Sequence, residues 1–407
     1  MFEKAQPYLH KGVFSVDAMD SSIPVLILGG RENSLSLARS FGRLGITVKI
    51  SGPRDCWGMN SRYCSEKFHI PKHIPHSQYW ADLLLEGRNL HLHGSLLIAG
   101  SDTALEFLAA NHAELSNSFI MGHHKPQLQF ALLDKRKTLD LARKTNVAAP
   151  EYWNVETEED LQQLVTQVRF PVMVKPIHSH KFIPVMGCKL FIVQDDVDEL
   201  VSKIRLCWEN NLEIMAVEMI PGPDSELSSF YTYIDDRNKS HFKYTKKVIR
   251  RYPANRGLAC YHATEWLPET AAAGEAFFSG IGFTGFGNIE FKRDYRDNQL
   301  KVIEANTRFT AAQELIVRSG APIDLIYYCV ATGQISPTFS SYQQDLTYWY
   351  GLRDTLAFLE LRRAGKLTMR QWLASLSPFK QVSPLHDAND LYPTISAITA
   401  RIVKTFG

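Results

Sequence analysis

Near residue 300 two short segments alternate apolar and polar residues with the period of a β-strand. Gly287-Asn288-Ile289-Glu290-Phe291-Lys292 is followed, after the polar break at 293–299, by Lys301-Val302-Ile303-Glu304-Ala305-Asn306-Thr307-Arg308. Side chains in a strand alternate between faces. Glu304, Asn306 and Arg308 therefore project from one face, and Ile303, Ala305 and Thr307 from the other. The break can fold the two strands into a hairpin, which sets Glu290 beside Glu304. Two carboxylates, an amide oxygen and a guanidinium then share one surface. Magnesium takes oxygen ligands from one or two carboxylates and completes its shell with phosphates and water. Arginine stabilises charge that builds on a transferring phosphoryl group. A surface hairpin with a solvated polar face is the competing reading, and a lone glutamate would favour it; four such residues among apolar β-formers do not.

Ahead of this hairpin the chain reads as two modules. Val25-Leu26-Ile27-Leu28 is an apolar strand ending at Gly29-Gly30, a helix follows with Leu35, Leu37, Ala38, Phe41 and Leu44 at helical spacing, and Ile46–Ile50 is a second strand. That is a βαβ unit, whose natural product is a parallel sheet. Ser95–Gly100 adds a buried strand that leads through Ser101-Asp102-Thr103 into a helix ending near Leu115. Gly29-Gly30-Arg31-Glu32-Asn33 departs from the dinucleotide fingerprint and puts bulky residues where a pyrophosphate would approach. A helix N-terminus that holds a carboxylate or polar substrate group is the better functional reading.

From Pro126 to about Asn146 the pattern predicts one long amphipathic helix. Beyond Pro150 comes an α+β module. Thr157 and Asp160 predict a capping box, and strands are expected at Val172–Lys175, Lys189–Val193, Ile214–Glu218, Leu227–Ile234 and Lys239–Val248. Lys175 ends an apolar strand and must aim its ammonium at something polar, a nucleotide phosphate being one candidate; Lys135 presents a second lysine. Glu218-Met219-Ile220 closes a strand before Pro221-Gly222, with Asp224 and Glu226 just beyond. Such an end offers backbone groups to an adenine edge and carboxylates to ribose hydroxyls. Tyr244–Tyr252 is a basic strand: either a solvated edge, or one that places Lys247 or Arg251 over a triphosphate or a substrate carboxylate. The stretch 334–407 reads as a helical extension.

Composition narrows the partners. The 407 residues carry a formal net charge of +2, with 45% hydrophobic and 22% charged residues. No electrostatic case exists for nucleic acid or a membrane surface. The six cysteines are scattered with no C-x-x-C pair, which suits free thiols in a reducing compartment. The expectation is a soluble cytoplasmic protein without a secretory signal. His123-His124 lacks a third ligand for a metal.

The order Lys135, Lys175, Glu218, Glu290, Glu304-x-Asn306-x-Arg308 resembles the ATP-grasp superfamily. Gly-Gly-Arg-Glu-Asn-Ser-Leu within 25–39, Ser61-Arg62-Tyr63-Cys64 and Gly365–Trp372 resemble its ATP-dependent carboxylate–amine ligases, the D-aspartate ligase-like branch. The resemblance implies an α/β and α+β chain. Its parts would be an N-terminal arm (1–22), a Rossmann-like pre-ATP-grasp domain (23–122), a linker helix region (123–150), ATP-grasp lobes (151–333) and a helical C-terminal extension (334–407). It implies that Lys135 and Lys175 touch ATP phosphates, that Glu218, Met219 and Ile220 meet adenine, and that Asp224 or Glu226 holds ribose. Glu290, Glu304 and Asn306 would bind Mg2+, with Mn2+ able to substitute. Arg308 would stabilise an oxyanion; Lys247, read from the basic strand as lying over the triphosphate or a substrate carboxylate, is the second catalytic candidate. The implied reaction is ligation of small-molecule carboxylate and amine substrates through an acyl phosphate; a homodimer is compatible with it. A bicarbonate-using carboxylase or carbamoyl-phosphate-type enzyme, and a nucleotide-binding regulator without turnover, are the alternatives. One departure stands out: Ile177–Pro184, with His178 and His180, replaces the glycine-rich phosphate cover of many relatives, which implies a stiffer or differently closed lid.

Overall fold

The computed structural model describes residues 19–123, 125–177, 179–376 and 380–406. Most of the expected arm, together with His124 and His178, lies outside the described residues.

Three sheets organise the chain. The first holds β1 (Val25–Leu28), β2 (Val48–Gly52), β3 (Cys64–His69) and β4 (Leu96–Ala99), all parallel, in the order β3-β2-β1-β4. Strands β1 and β4 are buried along their whole length, as continuous apolar runs require when helices cover both faces. The order reverses between β1 and β4, and the helices Glu32–Arg43 and Asp102–Ala110 start beside each other at that point. The turns that feed them pack closely. Gly29 and Gly30 sit at φ +72° and +94°. A Cβ on Gly100 would come 2.5 Å from the Gly29 carbonyl oxygen, so glycine is what lets the two turns touch. A crevice at such a switch point is where open α/β sheets bind ligands.

The second sheet is small and antiparallel: β5 (Tyr152–Asn154), β6 (Val172–Pro176), β7 (Phe191–Val193) and β8 (Ile214–Glu218), in the order β5-β8-β6-β7. Alternation sorts its residues. Val172 and Val174 join the cluster under the helices Glu158–Gln167 and Val197–Glu209, while Met173, Met215 and Val217 face the opposite way. Thr157 and Asp160 form the expected reciprocal cap.

The third sheet has seven strands: β9 (Leu227–Ile234), β10 (Ser240–Tyr252), β11 (Leu258–Thr264), β12 (Gly285–Asp294), β13 (Gln299–Asn306), β14 (Thr347–Trp349) and β15 (Gln381–Val382), in the order β13-β12-β9-β10-β11-β14-β15. Phe230, Ile289, Phe291 and Val302 of this sheet share one core cluster with Met173, Met215 and Val217 of the small sheet. The two sheets thus close on each other around a cleft.

Two local expectations change. The long helix of the linker region is two, Pro126–Leu133 and Lys135–Lys144, because the Asp134 carboxylate caps the second by accepting from the Arg136 and Lys137 amides. The C-terminal region is helical at Gly351–Arg363, Met369–Ser375 and Tyr392–Phe406, yet β14 and β15 knit it into the large sheet. The segment that replaces the glycine-rich cover of relatives, around His180, is the helix Ser179–Met186.

Candidate active site

The hairpin forms with the expected partners. Glu290 of β12 lies opposite Glu304 of β13, and Asn288 opposite Asn306. A bulge follows at once, since Phe291 pairs with Val302 and leaves Ile303 extra. Burial, and then the neighbouring Glu304 carboxylate, raise Glu290 above the usual carboxylate range. Two carboxylates held this close disfavour joint ionisation, and a divalent cation between them would reverse that. The Asn306 amide nitrogen donates to Asn288 Oδ1 at 3.4 Å, and Asn288 donates to the Phe230 carbonyl at 3.1 Å. This leaves the Asn306 amide oxygen for the site. The donor set of two carboxylates and an amide oxygen fits magnesium.

One row crosses four strands here. Glu304, Glu290, Ser229 and Lys246 are successive cross-strand partners on β13, β12, β9 and β10. Lys246 is 2% exposed, and its ammonium donates to Ser229 Oγ at 3.0 Å and His262 Nδ1 at 3.1 Å. Lys247 points the other way and pairs with Glu265, so it is not brought to the carboxylates. A second bulge, at Ile249, reverses the alternation again: Val248 pairs with His262 and Arg250 with Tyr261. Arg251 therefore returns to the cleft face, where it contributes to the field at Glu290 and Lys175, and Arg250 is buried against Asp354 at 2.6 Å.

Across the cleft, burial pushes the Lys175 ammonium down to about 8; Glu304 opposes that shift, while Lys135 and Arg251 add to it. Lys175 has no hydrogen-bond or ion-pair partner among the described residues. Lys135 Nζ lies 3.4 Å from the Pro176 and Ile177 carbonyls. Lys189, next to β7, is likewise lowered by burial and feels Glu304 and Glu290; sequence reasoning passed over it because nothing in its own strand marks it.

Lys135 and Lys175 line a narrow cleft with Met173, Met215, Val217 and Ile220. Glu218 closes it, paired with Arg296 at 2.7 Å. The Met219 amide donates to the Pro171 carbonyl at 3.0 Å, and Lys292 holds the Ile220 carbonyl at 3.0 Å. The Met219 amide and the Ile220 carbonyl, expected to face adenine, are therefore engaged. Asp224 is tied by Arg251 at 2.7 Å and by the Asn255 amide at 3.0 Å. Glu226 is the acid of that pair without a hydrogen bond among the described residues.

Arg308 meets the N-terminal domain: its Nε donates to Asp102 Oδ1 at 2.5 Å. Beside it, Asn33 Nδ2 donates to the Gly100 and Phe309 carbonyls, both at 2.8 Å. Arg353 lies 3.6 Å from the buried Glu32 carboxylate at the start of the first helix. His123 Nε2 lies 3.3 Å from the Val330 carbonyl. No cluster of three or more His, Cys, Asp or Glu suited to a metal occurs among the described residues, and all six cysteines are free. No helix among them is long and apolar enough to cross a membrane.

No family model matches the sequence. The chain is similar to D-aspartate ligase from Enterococcus faecium, 25% identical over 223 residues, which are 52% of this chain and 53% of that protein. It thus spans about half the length of the curated relative it matches. Two solved structures cover more. The biotin carboxylase domain dimer of Hydrogenobacter thermophilus 2-oxoglutarate carboxylase, in complex with Mg-ADP and bicarbonate, superimposes with a TM-score of 0.62 at 15% identity, over 80% of this chain and 74% of that one. L-amino acid ligase from Bacillus licheniformis does so with a TM-score of 0.60 at 16% identity, over 81% and 79%. At these identities the likeness is one of fold. With a parallel-sheet domain, a small antiparallel lobe and a large carboxylate-bearing sheet in that order, the chain has the ATP-grasp fold.

Proposed function

We propose that this chain is an ATP-dependent ligase that joins a carboxylate to an amine. The observation that carries the reading is the row Glu304–Glu290–Ser229–Lys246 facing Lys175, with Arg308 two residues beyond Asn306, just past the end of the strand that the sequence pattern runs through it. A binding module needs no such assembly of ionised groups.

ATP lies in the cleft between the small and large sheets, its base among Met173, Met215, Val217 and Ile220 and its ribose at Glu226. Lys135, Lys175, Lys246 and Arg251 meet the phosphates. Magnesium, or manganese in its place, held by Glu290, Glu304 and Asn306, supplies charge neutralisation on the phosphate oxygens. A substrate carboxylate oxygen attacks the γ-phosphorus, the bridging P–O bond to ADP breaks, and an acyl phosphate results. An amine nitrogen then attacks the acyl carbon, the C–O bond to phosphate breaks, and the amine proton leaves to solvent. Arg308 offsets the charge of the tetrahedral oxyanion. The protein contributes position and field, with no covalent nucleophile of its own.

The test is a screen of amino acids, alone and in pairs, for ATP-dependent phosphate release, with aspartate first because of the D-aspartate ligase likeness and with bicarbonate as a separate arm. Release that requires both a carboxylate and an amine supports the reading. Release that requires bicarbonate alone moves the chain to the carboxylases, and no release with any pair removes the ligase.

A further inference from the structure

The groups assigned to phosphate come from the two antiparallel sheets and from Lys135 at the start of its helix, yet Arg308 is gripped from the parallel-sheet domain. Its strand has ended by then, since β13 stops at Asn306. Beneath this strand end lies a small cavity of about 20 Å³ walled by Leu105, Leu108, Phe286 and Tyr327. Thr307 Oγ1 and Gln129 Nε2, both buried and both on residues lining that cavity, have no hydrogen-bond partner among the described residues. Phe309 packs on Phe286 and Tyr327, and two bonds from the switch-point crevice add polar holds on this turn: Asn33 on the Phe309 carbonyl at 2.8 Å and Asp102 on Arg308 Nε at 2.5 Å. The only other bond to the guanidinium among the described residues is a 3.4 Å contact from Nη1 to the Phe309 carbonyl.

A guanidinium is a rigid fork of five donors. Fixing Nε fixes the plane of the whole group, and Nη2 stays uncommitted among the described residues. We propose that Asp102 is a positioning residue: it sets the plane of Arg308 from the neighbouring domain, so that correct seating of the N-terminal domain is a condition for the acyl-transfer step. The inference rests on the ligase reading above. Asp102 is 60% exposed in this pair, and exposed ion pairs add little to stability. Its loss is therefore felt in placement, where an error of about 1 Å costs on the order of a hundredfold in rate.

The test is a double-mutant cycle on the full chain. Asp102→Asn is expected to lower kcat by tenfold or more, with ATP KM and melting temperature unchanged, and Asp102→Glu to restore part of the rate. In an Arg308→Ala background Asp102→Asn should change nothing further, because the group it orients is gone. An unchanged kcat, or equal losses in both backgrounds, overturns the proposal. A second readout needs no turnover: the 15Nε–H resonance of Arg308, assigned by its loss in Arg308→Lys, should be sharp in the wild type and broadened in Asp102→Asn. An identical signal in both overturns the proposal whatever the activity, whereas a wild type that is inactive with every substrate pair removes only the ligase reading.

Discussion

Strands β1 and β4 of the parallel sheet bury only apolar residues, whereas the large sheet buries charged groups alongside its apolar core. Val25, Leu26, Ile27 and Leu28 of β1 are all fully buried, and β4 continues the same apolar layer. The large sheet buries Lys246, Arg250, His262, Asn288, Lys292 and Asp294. Burying an ion costs several kcal/mol unless it is paired and hydrogen-bonded, so the pairing of each ion tells what it is for. Arg250 has the Asp354 carboxylate at 2.6 and 3.1 Å, and Asp294 has Lys301 at 2.7 Å and Arg296. These ions are neutralised within the fold. Lys246 has only a hydroxyl and an imidazole, and Lys175 has no bonded partner among the described residues. Lys246 and Lys175, which the fold leaves without a bonded acid, are among the cations we assign to phosphate.

That contrast breaks most sharply at the carboxylates. Glu304→Ala and Asn306→Ala should each lower turnover by on the order of a hundredfold or more, with unchanged circular dichroism and melting. A variant that keeps near wild-type rate in saturating magnesium would remove the metal assignment. On the scaffold side, Leu28→Ala should cost about 2–5 kcal/mol in denaturant unfolding while the rate per folded molecule holds. A rate that falls as far as for Glu304→Ala would erase the division between scaffold and site.

The adjacent lysines of β10 sharpen the contrast within one strand. Lys246→Met removes a buried cation that lacks an acid, so stability should hold or rise while turnover falls at least about tenfold. Lys247→Met removes a half-exposed partner of Glu265 and should shift stability by no more than about 0.5 kcal/mol, with the rate intact. The reverse pattern would restore Lys247 as the residue at the phosphates.

These two lysines also show where sequence reading stops. The Glu290–Glu304 pairing was legible because strand alternation and one polar break determine it locally. So was the apolar β1-helix-β2 unit. Lys246 was not, because choosing between it and Lys247 needs the register of β9 against β10, and Arg251 needs the bulge at Ile249 as well. The strands β14 and β15 escaped for a similar reason: two or three residues carry too little periodicity, and only pairing with β11 defines them. The helix break at Asp134 was available in the sequence, since aspartate is a strong N-cap, and the leucine pattern running through it concealed the break.

The smallest effect concerns pH. The Lys175 ammonium sits at about 8 in the nucleotide-free protein. Phosphate beside it favours the charged form, so its pKa is higher in the complex. Binding of ATP should therefore take up a proton near pH 8, and affinity should fall as pH climbs above 8, by up to about tenfold per unit. Calorimetry in buffers of different ionisation heat reads both effects, and Lys175→Met should abolish them. Uptake that persists in that variant would assign the proton elsewhere.

The most direct measurement is a crystal structure of the chain with Mn2+ and ADP, read by anomalous scattering. An anomalous peak is expected at about 2.1 Å from oxygens of Glu290, Glu304 and Asn306, with the β-phosphate within reach of Lys175 and Lys135. A peak elsewhere, or a nucleotide bound outside the cleft between the small and large sheets, would contradict the assignment of this site.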